Sequence, residues 1–200
     1  MTDTPHTRSR KLPRLALVGA LVLAGAVAPF ASAPAPAQAA GNVTYTLYTS
    51  DSPSADEADA YDRIRAAMDA AVARYNERTD ISRHLNVWYA PGVPTAEANI
   101  NGDIRFGSDR GYMNESTALH EMGHTMGVGQ SGGFFNLCQD GTWAGAQATA
   151  LVQSWDGPDA RVYCGGGHFW PYGLNYTSEY SDLAADHNVD LVRAMIADGM

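Results

Sequence analysis

His120-Glu121-Met122-Gly123-His124-Thr125-Met126-Gly127-Val128-Gly129-Gln130 is the stretch from which the fold and the chemistry of this chain are read. On an α-helix, residues four apart lie on one face about one turn from each other, so the imidazoles of His120 and His124 can reach a single ion. Zinc accepts neutral imidazole nitrogen at roughly 2.0–2.1 Å in a tetrahedral shell. Glu121 lies ~100° around the helix from His120. There its carboxylate can hydrogen-bond a water on the ion without being a ligand, which is what a general base needs. An ordinary core helix with two satisfied histidines gives the same pattern, so the flanking residues matter. Asn114 and Ser116 are N-cap candidates, and Ala118, Leu119, Met122 and Met126 supply an apolar stripe. Gly127 can take the left-handed conformation that ends a helix. These signals predict a metal-binding helix from about Glu115 to Met126.

The pattern His120-Glu121-x-x-His124-x-x-Gly127-x-x-Gln130 resembles the zinc helix of secreted bacterial zinc metallopeptidases of the metzincin branch. In that branch the position of Gln130 holds the third ligand, usually a histidine. An amide oxygen is a poor zinc ligand beside imidazole or carboxylate, so the third ligand has three candidates here. His168 is the first. It follows Gly165-Gly166-Gly167 and stands four residues from Cys164, so a Cys138–Cys164 disulfide would pin its segment beside the loop leaving the helix. Gln130 is the alternative by spacing. Glu179 is the third, because a downstream carboxylate completes the site in the related gluzincin class. The methionine turn of metzincins has no counterpart here, and Phe169 and Trp170 are the expected apolar support instead. Tyr172 and Tyr176 are candidates for stabilising a transition-state oxyanion, with packing as the competing role of each.

The leader and the cysteines indicate the compartment. Arg8, Arg10, Lys11 and Arg14 precede an apolar run from Leu15 to Ala28, and Ala37-Gln38-Ala39 fits a signal-peptidase site, with Ala31-Ser32-Ala33 as a second. Residues 1–39 are therefore read as a secretory signal peptide and residues 40–200 as one catalytic domain. Without the leader, nine basic residues face twenty-one acidic ones, a net charge of −12, and no lysine remains. Such a surface repels nucleic acid and anionic membrane, so neither is an expected partner. Export favours a disulfide between Cys138 and Cys164, the only cysteines. It would close a loop of about 27 residues and contribute on the order of 3 kcal/mol in the chain-entropy model.

Around the metal helix the periodicities give the remaining elements. Val43 to Tyr48 alternates as a strand. Ala55 to Arg78 carries a helical stripe of Tyr61, Ile64, Met68, Ala71, Val72 and Tyr75. His84 to Tyr89 is a second strand, with His84 read as a surface residue, and Ala98 to Phe106 a third. Ser131 to Phe135 reads as a loop, Ala144 to Gln153 as a short helix, and Ser181 to Ala197 as a last helix with Leu183, Val189, Val192 and Ile196 inward. His187 and His6 have no expected role. The predicted class is α+β. Its order resembles a zincin-like fold: a small mixed sheet with an edge strand, packed on a long helix and the zinc helix, then an irregular C-terminal subdomain ending in a helix. By that resemblance residues 98–106 are the edge strand that pairs with substrate.

The expected protein is thus a secreted, monomeric zinc-dependent endopeptidase with one catalytic Zn2+, acting on protein or peptide substrates. Glu121 is its general base and His120, His124 and His168 are its ligands. Two rivals stand beside it. One is an exported adhesion or carbohydrate-binding module stabilised by zinc, with Trp143, Trp155 and Trp170 as platform. The other is a zinc amidase acting on a non-peptide substrate.

Overall fold

The computed structural model describes Met1 and residues 41–200, and the expected signal peptide, residues 1–39, falls outside the described residues apart from Met1. Among the described residues no helix is long and apolar enough to cross a membrane.

The chain is mixed α+β. Strand β1 (Asn42–Tyr48) leads into helix α1 (Ala55–Arg78), which starts at a full capping box. There the Ser54 side chain accepts from the Glu57 amide and the Glu57 carboxylate accepts from the Ser54 amide. Strands β2 (Ser82–Tyr89), β3 (Ala96–Ala98) and β4 (Asp103–Phe106) follow. The sheet order is β1-β2-β4-β3, with β1–β2 and β2–β4 parallel and β3–β4 antiparallel. One face carries Val43, Leu85, Val87, Ile104 and Phe106, all buried against the helices.

Two sequence expectations are corrected in this region and the next. Residues 98–106 are not one edge strand. Asn99 to Gly102 makes a turn in which Gly102 takes φ 98° and its amide donates to the Asn99 carbonyl, so β4 is an inner strand and Ala96–Ala98 is the edge. Ser131 to Phe135 is not a loop either, because the Ser131 hydroxyl caps helix α3 (Gly132–Leu137) by accepting from the Phe134 amide.

Helix α2 (Glu115–Met126) packs against α1 and under β3 and β4. Helix α4 (Ala146–Asp156) and helix α5 (Asp182–Ala197) complete the helices. Leu183, expected inward, is 64% exposed, because the small Ala184 and Ala185 take the inner face of α5. The segment expected to be irregular holds a second small sheet, β5 (Cys138–Gln139), β6 (Thr142–Trp143), β7 (Tyr163–Gly165) and β8 (His168–Trp170), all antiparallel. The Cys138–Cys164 disulfide joins its first and third strands. Arg74 on α1 bonds Glu115 at 2.7 Å and also Asp186, which ties the start of α2 to α5.

Candidate metal centre

Helix α2 begins where the Asn114 side chain accepts from the Thr117 amide and ends where Gly127 adopts φ 126°. Ser116, the other cap candidate, lies inside the helix. The chain turns back at once after Gly127, so the Val128 carbonyl accepts from His124 Nδ1 at 2.8 Å. His120, one turn earlier, donates from Nδ1 to the Gly173 carbonyl at 3.0 Å. His168 comes from the β7–β8 hairpin. Gly166 and Gly167, at φ 59° and 83°, form the two-residue turn between the paired Gly165 and His168. His168 Nδ1 donates to the Gly166 carbonyl at 3.0 Å.

Each of the three rings therefore spends Nδ1 on a backbone carbonyl, which leaves Nε2 as the free lone pair. The three residues each offer a nitrogen within 4.8 Å of the others, and together they form a group able to hold a metal ion. Nε2 of His120 and His124 are 3.2 Å apart. Burial brings the His120 pKa down to about 4, the charges of His124 and His168 push the same way, and the Gly173 bond opposes. Burial also lowers that of His124. Both rings are thus neutral at neutral pH, the form that ligates metals.

Glu121 is 5% exposed and its Oε2 has no partner. Burial, with a smaller contribution from the charge of Glu97, pushes its pKa up to about 8. A buried carboxyl without a partner is costly, and a cation beside it stabilises the charged form. The donor set and this orphaned oxygen both fit a metal that takes imidazole and keeps an open position.

The histidines line a cleft of about 490 Å3 between edge strand β3 and the hairpin, floored by Glu121 and Leu174. Of the other residues singled out from sequence, Gln130 is exposed on the cleft wall, and Tyr176, 71% exposed, also lines it. The structure does not bring Tyr172 to the histidines. Its hydroxyl donates to Asp156 at 2.8 Å, and its ring packs edge-on against Trp155 and His187. Glu179 is exposed and accepts from the Asn175 amide. Phe169 is buried as expected of a support, whereas Trp170 is 44% exposed and lies on Tyr163. Trp143 is buried and Trp155 stacks on His187, so the three tryptophans form no common platform.

Two features of the site carry no side-chain signal in the sequence. The first is the carbonyl set of Gly166, Gly173 and Val128. The loop around Gly173 is held by Asn188, whose Nδ2 donates to the Tyr172 carbonyl, and by Asn175, whose Nδ2 donates to that of Phe169. The second is the contact of Gly129 with Gly167: a Cβ on Gly129 would stand 2.1 Å from the Gly167 carbonyl oxygen. No family profile, curated protein or solved structure matches this chain.

Proposed function

We propose that this protein is a secreted zinc-dependent endopeptidase whose metal is held by His120, His124 and His168. The observation that carries the reading is the convergence of three carbonyl-anchored imidazoles beside a buried, unpartnered Glu121. Three imidazoles and an open fourth position are a donor set that catalytic zinc uses. Zinc bound there supplies a Lewis acid that polarises the scissile carbonyl and acidifies water.

The chain's own residues account for the rest. Glu121 takes a proton from the attacking water and returns it to the departing amine. A structural metal site has no use for a buried carboxyl left without a partner, which favours an enzyme over a zinc-stabilised binding module. The outer edge of β3, at Ala96–Ala98, faces the cleft and offers backbone donors and acceptors to an extended peptide. An open cleft bounded by a strand edge suits a polypeptide better than a small amide.

The test is metal analysis of the purified protein together with digestion of a peptide library, for the parent and for Glu121→Ala. The expected result is one zinc in both proteins and cleavage by the parent alone, lost on chelation. Cleavage by Glu121→Ala at the parent rate, or a parent that binds no zinc, removes the proposal.

A further inference from the structure

The sheet face opposite the helices carries a second cavity that the zinc reading leaves unused. Strand register puts Tyr48, Trp88, Arg105 and Glu97 in one row across all four strands. Tyr48 and Trp88 stack at 4.9 Å with ring planes 9° apart. Arg105 Nη2 binds Glu97 at 2.8 Å. In the next row the Tyr48 hydroxyl donates to Asn86 Oδ1, and Asn86 Nδ2 donates to Asp103 Oδ1. Asn99 Nδ2 donates to the other oxygen, Asp103 Oδ2. The cavity lies against Trp88 and is walled by Asn99, Asp103 and Arg105.

We infer that this cavity is a saccharide-binding site that takes a β-linked pyranose with equatorial hydroxyls on the face of Trp88. The walls decide the chemistry. One is the indole, held flat by Tyr48 on its other side. The opposite ones are a carboxylate, a guanidinium and a carboxamide, with Ala90 as the one aliphatic side chain among the lining residues. An apolar amino-acid side chain would desolvate those polar groups without pairing them. A gluco-configured ring has a face of C–H groups and a rim of hydroxyls, so it satisfies both kinds of wall at once. Both Asp103 oxygens are positioned by asparagine donors and keep further lone pairs, and Arg105 uses one of its nitrogens on Glu97, leaving donors for a rim hydroxyl. The opposite charges of Asp103 and Arg105 suit a neutral sugar. Two strand spacings separate Trp88 from β3, so the bound ring would sit ~10 Å from the lip of the metal cleft. The inference is independent of zinc binding and of peptide cleavage.

Calorimetric titration of the purified protein with cellohexaose and with chitohexaose tests it. Saturable binding of at least one is expected. Trp88→Ala and Asp103→Ala should each weaken it by about tenfold or more, and Trp88→Phe should recover part of it. Trp170→Ala, which removes the exposed tryptophan of the β7–β8 hairpin, should leave the affinity unchanged, and zinc content should be unchanged throughout. No saturable binding of either oligosaccharide, or binding by Trp88→Ala within roughly twofold of the parent, overturns the inference.

Discussion

His120 and His124 hold their Nε2 atoms 3.2 Å apart while each Nδ1 donates to a carbonyl. Two lone pairs facing each other at this distance repel, and a cation between them turns the repulsion into coordination. The edge of a tetrahedron built on zinc–nitrogen bonds of about 2.05 Å is about 3.3 Å, so the rings already stand at the spacing the ion requires.

Zinc should therefore raise the melting temperature, and EDTA should reverse the gain. Free zinc at a hundred times its dissociation constant stabilises by about 2.7 kcal/mol. His168→Ala should lower the zinc stoichiometry measured by elemental analysis, whereas Gln130→Ala should leave it at one. The reverse pattern would assign the third ligand to Gln130.

Breaking the disulfide should act on two properties. The bridge spans a sequence separation of 26 residues. Replacing Cys138 and Cys164 by serine should cost about 3 kcal/mol in denaturant unfolding. Zinc affinity should fall as well, because Cys164 fixes β7, which pairs with the strand bearing His168. A double variant with unchanged zinc affinity would show that the hairpin turn alone orients His168.

Arg74 joins α1, α2 and α5 while its side chain is 17% exposed, as is that of its partner Glu115. Arg74→Ala leaves the Glu115 carboxylate without its cation, while Asp186 keeps Arg78, and a loss of about 2 kcal/mol follows. For a chain of this size that lowers the melting temperature by roughly 4–8 °C in a thermal scan.

The stack of His187 on Trp155, with ring centroids 3.7 Å apart, makes an acid-sensitive element. Burial lowers the His187 pKa from 6.5, as does the charge of Arg78, against the opposite pull of Asp156, Asp190 and Asp186. The unfolded chain then binds the proton more readily than the folded one. This contribution to stability is present above pH 6.5 and is lost as pH falls through the lower, folded value. His187→Phe should remove that part of the acid dependence, measured by urea titrations between pH 7 and pH 4. NMR titration of the His187 ring should give a midpoint below 6.5.

Local chemistry made much of this structure legible. Asn114 before Glu115 marks a helix start by a hydrogen bond its side chain can make only there, and the stripe from Tyr61 to Tyr75 marks α1. The spacing of His120 and His124 sets their common face without any tertiary contact. The β3–β4 hairpin is hidden in the sequence because Asn99 to Gly102 interrupts a run whose apolar residues, Ile104 and Phe106, follow the turn. Helix α3 is not legible because Gly132-Gly133 hides a start that Ser131 caps. Hydrophobicity alone points Leu183 inward, but close approach of α5 needs the smaller Ala184 and Ala185. The carbonyls that orient the three imidazoles belong to backbone, where residue identity says little.

The meeting of Gly129 with Gly167 has a consequence for the rest of the molecule. One glycine follows the metal helix and the other precedes His168, so the pair acts as a caliper that sets how far the third imidazole stands from the first two. A single methyl group at Gly129 would open its jaws and move the hairpin outward, and the grip on the ion would fail with every ligand still in place.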